Sequence, residues 1–227
     1  MVRRTKADAL ATRNSLLDAA EQLFQAHGVS RTSLNEIAVA AGTTRGAIYW
    51  HFKDKADLFK AMMERATLPL QAGFPDEDTP ARDLPSPLQS LRAGFRHLLH
   101  MIVTDERLRR VFEVITFQVE YNSDMAAVRE WHLHMRNHHL ELTKQMLAVA
   151  AERVSLTLPA PLQSAALGLH FVMDGLKRNW LLDPSAFDLE VVGQHAVDTY
   201  LTGLGFDLND ASAQAQRLPA LAHEMPT

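Results

Sequence analysis

The chain has 227 residues, 47% hydrophobic and 22% charged, with a formal net charge of −4. That composition fits one or two ordinary globular domains with a sizeable core. It has no cysteine, which excludes disulfides and thiolate chemistry and agrees with a reducing cytoplasm. The opening run MVRRTKADALATR is polar and charged and is not expected to be a signal peptide, and no apolar stretch approaches the ~20 residues of a membrane span. Residues 1–65 carry ten Lys/Arg against seven Asp/Glu, while residues 66–227 carry thirteen against twenty. A mildly basic head on an acidic body suggests a local contact with a polyanion.

Apolar spacing is helical almost throughout, with no strand-like alternation and no internal repeat. Leu16, Leu17, Ala20, Leu23 and Phe24 place one face on a helix over 8–27, which Gly28 stops. Ser33 and Glu36 form a capping box ahead of Leu34, Ile37 and Ala38, and Gly42 ends that second helix. A short third helix is predicted from Thr44 to about Trp50, and Asp54 caps a fourth over 54–68. Residues 69–87 hold five of the ten prolines, so no regular helix is expected there, and the acidic residues Asp76, Glu77 and Asp78 add polarity. Leu88, Leu91, Phe95, Leu98 and Ile102 begin the body. Helices are then predicted over 105–119, about 123–153, 161–182 after Pro159 and Pro161, and about 188–204. The tail from Asp207 is small, polar and expected to fray.

Ala38, Gly42 and Ile48 have the spacing of a helix-turn-helix: a small residue for a close crossing, a glycine for the turn and an aliphatic pin. Thr43, Thr44, Arg45 and Gly46 cluster at the start of the short helix. A helix N-terminus favours phosphate, and Arg can read guanine bidentately. Gly46 removes a side chain where backbone can approach DNA, and Tyr49, His51 and Lys55 can reach phosphate oxygens. Trp50 is assigned to the same surface, with packing of the small domain as its alternative. Phe52 goes to the core.

The stretch SRTSLNEIAVAAGTTRGAIYWHFKDKADLF resembles the DNA-binding domain of TetR-family transcriptional repressors. MVRRTKADALATR and TRGAIYWHF are similar to the multidrug-efflux repressor branch (AcrR/TtgR-like). The likeness is strong over residues 1–65 and followable to about 205 through helix order and the run MDGLKRNWLL. It implies an all-α dimer: an N-terminal three-helix helix-turn-helix domain, residues 1–55 with helix 54–68 connecting, that binds palindromic double-stranded operator DNA. A larger C-terminal helical ligand-binding and dimerisation domain, residues 56–206, would hold an inducer cavity, with 207–227 a flexible tail. By the resemblance Thr32, Thr44, Arg45, Tyr49, His51 and Lys55 face DNA. Arg3, Arg4 and Lys6 would follow a minor groove as an arm.

The helix at 161–182 is apolar on two sides, through Leu162, Ala165, Ala166, Leu169, Met173, Leu176 and Trp180 on one and Leu167, Phe171, Asp174 and Arg178 on another. Burial on two sides suits a helix between a ligand cavity and a dimer partner. The last helix, with Leu189, Val192, Ala196 and Tyr200, would complete a four-helix bundle between subunits. Leu169, Leu176, Trp180, Val192, Ala196 and Tyr200 are therefore the expected dimer interface. Asp174 and Arg178, spaced i,i+4, are either an internal ion pair or polar anchors in an apolar cavity. The resemblance maps that pocket onto Phe95, Leu98, Phe112, Thr116, His139, Thr143, His170, Met173, Asp174 and Arg178. Phe112 and Thr116 stand where the family tends to place more polar side chains, so this end should be more apolar.

His134 and His138 have a metal-compatible i,i+4 spacing, and His132 and His139 share the seam of the long helix. With no cysteine, no HExxH and no acidic third ligand at an obvious spacing, a polar cavity wall or a solvated face is the simpler reading, and neither metal nor cofactor is expected. Nothing in the chain spells a Gly-rich phosphate loop or GxSxG. The leading expectation is a cytoplasmic repressor, not an enzyme, released by a small hydrophobic or aromatic inducer. An all-α enzyme, a metal-binding protein and a dimeric helical adaptor that does not read DNA are the alternatives.

Overall fold

The structure is a computed structural model that describes residues 6–76, 78–121 and 125–208. Among these residues it is all helical, with nine α-helices: α1 Lys6–His27, α2 Leu34–Ala40, α3 Arg45–His51, α4 Lys55–Thr67, α5 Pro87–Thr104, α6 Glu106–Glu113, α7 Ala126–Arg153, α8 Leu162–Leu182 and α9 Leu189–Gly203. Arg3, Arg4, Glu77 and the tail from 209 onward lie outside the described residues.

The first three helices follow their local signals. Gly28 takes φ +84° and ends α1, and Gly42 takes φ +66° in the turn between α2 and α3, a conformation that a Cβ disfavours. The Ser33 hydroxyl accepts from the Glu36 N–H (3.2 Å), and the Glu36 carboxylate accepts from the Ser33 N–H (2.7 Å). The Ser33 N–H and the Ser33 hydroxyl, each 2.7 Å from the Glu36 carboxylate, hold that carboxyl below the usual carboxylate range. Thr44 caps α3 by accepting from Ala47 N–H, and Asp54 caps α4 by accepting from Asp57 N–H.

Two apolar clusters organise the chain. The first joins Leu16, Leu17, Ala20 and Phe24 of α1 to Ile37, Ala38, Ile48, Phe52, Leu58, Phe59 and Met62. It also takes in Val111, Val114, Met125 and Val128 from further along the chain. The second is built by α5, α7, α8 and α9, with Leu91, Leu99, Ile102, Leu147, Ala165, Leu169, Met173, Trp180, Val197 and Leu201 inside it. Burial on this scale stabilises each cluster by about 1.5–3 kcal/mol per large side chain.

The proline-rich stretch holds two short 3-10 turns, Leu68–Gly73 and Ala81–Asp83, in place of a regular helix. The expected single helix over 105–119 divides in two: α6 ends at Glu113, and a π turn runs over Val114–Gln118. Such wide turns recur at functional sites because they re-aim side chains without breaking the helix. Pro161 stands at the N-cap of α8, not within it.

Candidate DNA-reading face and effector site

α3 is short, and only Ile48 along it is buried. Its remaining side chains therefore point outward or along the rim. Arg45 is exposed, with its guanidinium 5.7 Å from the Tyr49 ring centroid. Tyr49 is 50% exposed and Trp50 73%, unusual for residues with so much apolar surface. The Trp50 ring meets His51 edge-on at 4.6 Å. Thr44 and Gly46 are exposed and Thr43 half-buried. A Cβ at Gly46 would meet only the Thr44 hydroxyl, at 3.9 Å, so nothing inside the protein requires glycine there. Lys6 is exposed at the start of α1.

Two expected DNA contacts are placed differently. Thr32 is only 2% exposed, and its hydroxyl donates to the Gly28 carbonyl at 2.8 Å; it ties the α1–α2 turn together from inside. Lys55 is half-buried and donates from Nζ to the carbonyls of Val29 (2.9 Å) and Ser30 (3.1 Å). Both residues shape the reader from behind its surface. Val39, 69% exposed on α2, joins the outer surface without any signal beyond its place in the periodicity.

The expected effector residues come from α5, α6, the π turn, α7 and α8. Phe95, Leu98, Phe112, Thr116, Thr143 and His170 are half-buried, and Met173 is buried. His139 and Arg178 are exposed, and Asp174 is mostly so, at 60% of its side chain. The i,i+4 ion pair is replaced by another arrangement. Asp174 Oδ1 lies 3.5 Å from Lys177 Nζ, and Arg178 turns its guanidinium to the Phe117 ring at 5.7 Å. A helix turns 100° per residue, so position 177 faces inward beside 173 and 170, while 174 and 178 sit at the edge.

Lys177 is thus the inward cation of α8. Its Nζ lies 5.4 Å from the Phe112 ring centroid, and burial pushes its pKa down. Burial also pushes His132 and His170 down, and the charge of Lys177 adds to the effect on both rings. Tyr121 Oη lies 2.5 Å from His132 Nδ1. Burial raises the Tyr121 pKa, and the neutral hydroxyl shares this hydrogen bond with the His132 imidazole. Among the described residues, no group of three His, Asp or Glu side chains is arranged to hold a metal.

A cleft of about 340 Å³ opens between Asp78–Ala81 and Leu142, Gln145 and Met146 of α7. A crevice of about 10 Å³ separates α5 from α9 at Phe95, Leu99, Gly193 and Val197. Of the ten expected effector residues only Phe95 lines either one.

The expected dimer surface needs the same sorting. Leu169 (0% exposed) and Trp180 (5%) belong to the protomer's own core. The Tyr200 hydroxyl donates to the Ala165 carbonyl at 3.0 Å, and a Cβ on Gly168 would lie 2.0 Å from it. Tyr200 therefore locks α9 against α8 within one chain. Leu176 and Ala196 are half-buried. The outward apolar side chains are Val192 together with Phe171 (64% exposed), Leu182 (74%) and Val191.

A short exposed helix behind a glycine turn, set on a small three-helix core and joined to a helical body, defines a helix-turn-helix regulator. Residues 16–62 match the bacterial regulatory proteins of the tetR family, and residues 86–206 match the MAATS-type transcriptional repressor C-terminal region. The chain belongs to the TetR family of transcriptional regulators. The HTH-type transcriptional regulator AcrR of Shigella flexneri is 39% identical over 197 residues, covering 84% of this chain and 87% of that one. NalD, the secondary repressor of the MexAB-OprM multidrug efflux pump in Pseudomonas aeruginosa, superposes with a TM-score of 0.78 at 34% identity, covering 88% of this chain and 98% of its own. SmeT, the repressor of the Stenotrophomonas maltophilia multidrug efflux pump SmeDEF, has been solved with triclosan; that complex gives a TM-score of 0.72 at 32% identity, covering 85% and 90%. These relatives are transcriptional regulators, not enzymes. No helix among the described residues is long and apolar enough to cross a membrane.

Proposed function

We propose that this chain is a cytoplasmic, dimeric repressor that holds a palindromic operator and releases it when a small hydrophobic inducer enters the body, controlling a multidrug efflux pump. The observation that carries the reading is the outer face of α3, where Arg45, Tyr49 and Trp50 stand exposed around an open Gly46. Arg45 and Thr44 are assigned to base edges. Tyr49, Trp50, His51 and Thr43 are assigned to the backbone that sets register, as are Lys6 at the start of α1 and Arg3 and Arg4 ahead of it in the sequence. Residues 1–55 form the reader, and residues 56–206 the effector and dimer body.

The dimer is assigned to the outward faces of α8 and α9. Phe171, Leu182, Val191 and Val192 are exposed there, and an apolar patch of this kind calls for a partner. Two heads held by such a dimer meet half-sites roughly 34–36 Å apart or a multiple of that. An inducer shifts this equilibrium only if it binds the DNA-incompetent spacing better.

Footprinting of the DNA upstream of the gene and of any adjacent pump operon, with and without a panel of hydrophobic drugs, tests the reading. A protected palindrome that drugs release is the expected result. Failure to shift any such duplex at low salt would refute DNA reading and favour a helical adaptor. Protection that no drug alters would refute induction alone.

A further inference from the structure

The effector reading leaves open what kind of molecule the body takes, and the interior of the α6–α8 junction bears on that question. Lys177 keeps only 18% of its side-chain surface exposed, rests over the Phe112 ring and has Asp174 as its carboxylate partner, at 3.5 Å. Asp174 is mostly in solvent. His170 stands two turns away on the same face of α8, and His132 approaches from α7. Both rings sense Lys177 and Arg136 as positive neighbours and Asp174 as the negative one. Lys177 thus stands at this spot against one largely hydrated carboxylate. An ammonium held away from water is costly unless it is paired, and a largely hydrated carboxylate at 3.5 Å pairs it only loosely. The Phe112 face supplies a weak substitute that a real counter-charge would improve on.

We propose that this junction recognises an apolar, aromatic effector that carries an acidic group, seating its carboxylate, sulfonate or phenolate on Lys177 and its ring against Phe112 and Met173. The inference rests on the reading of the body as an effector domain and narrows it to a chemical class. Binding draws Lys177 away from its ring, so the anion replaces a contact the free protein already makes. A charge-assisted hydrogen bond in a dry site is the strong kind, and a neutral analogue leaves the ammonium as it was.

The test uses the full chain and two probes of nearly the same shape, 2-naphthoate and 2-naphthamide, which differ by one charge. Calorimetric titration is run on the wild type, Lys177→Met and Lys177→Arg, with thermal melts to confirm folding. The wild type should bind naphthoate at least about tenfold more tightly than naphthamide, from the added charge-assisted bond. Lys177→Met should lose that preference while keeping naphthamide, and Lys177→Arg should retain it. Equal affinities in the wild type, or a preference that survives in Lys177→Met, would overturn the inference. If neither probe binds, the inference also falls. Operator release by neutral hydrophobic drugs, measured on the same protein, then decides whether the effector reading falls with it.

Discussion

Arg45 occupies the first position of α3 and Thr32 the turn before α2, and the two separate by what their side chains touch. Arg45 faces solvent and a tyrosine ring, so Arg45→Ala should cost operator binding ~1–3 kcal/mol and relax base preference at one position. Gel-shift titrations on operator variants measure both. Thr32 bonds a backbone carbonyl inside the protein. Thr32→Val should therefore lose about 1 kcal/mol of stability in urea unfolding while operator affinity stays nearly constant. His132 and His170 make a third residue-scale case. Their folded pKa values lie below the ordinary 6.5. Above that value both states are neutral and stability is at its full level. As pH falls through it, the unfolded chain takes up protons that the fold resists, and stability drops. A His132→Asn, His170→Asn double variant should flatten the fall in urea midpoint between about pH 7 and pH 5. Lys177 was illegible in the sequence for a simple reason. A lone lysine on a helix usually means a solvated face, and its neighbours Asp174 and Arg178 drew attention by their i,i+4 spacing. Only the packing of α6 and α7 against α8 shows which of the three looks inward.

Elements were legible wherever their ends carry their own chemistry. The Ser33–Glu36 box, the Gly42 turn, the Asp54 cap and the proline-rich break all act within a few residues, so spacing alone locates them. The π turn at Val114–Gln118 has no such signature, because it arises from what the backbone meets. The Gln118 carbonyl accepts from the Val29 N–H at 3.1 Å, and the Glu113 carboxylate accepts from the Gln25 amide at 2.6 Å. Nearby, Glu21 is 1% exposed and binds Arg65 of α4, with Arg107 at 3.4 Å and Arg110 at 3.9 Å from α6. Asp18 bonds Arg65 and Arg107 at 2.8 Å each. One buried carboxylate thus joins α1, α4 and α6. Glu21→Ala should destabilise the fold by about 1–3 kcal/mol, since Arg65 loses its buried carboxylate and keeps only the half-exposed Asp18 and the Asn14 carbonyl. Denaturant unfolding reads that loss.

At the scale of the molecule, the boundary between reader and body is not a clean cut. The first cluster contains Leu16, Phe24 and Ile48, but also Val111, Val114, Met125 and Val128 from beyond α5. Chain order alone hides this, because the contributing segments are some fifty residues past the last helix of the head. A fragment ending at Thr67 would expose the whole of that contact surface to water. It should melt far below the intact protein and show little protection of α1 amides in hydrogen exchange.

This sharing has a genetic consequence. If the head borrows part of its core from the π turn and the start of α7, the hereditary target for losing repression is much wider than the surface that meets DNA. Strains selected for constitutive expression of the controlled gene should carry many of their lesions at positions such as Val111, Val114 and Met125, far along the coding sequence. Such lesions would leave every base-reading side chain intact and would look, on a sequence map, like effector-site alleles. Temperature would tell them apart: a weakened shared core should give repression at low growth temperature that fails on warming, whereas a changed effector site should not.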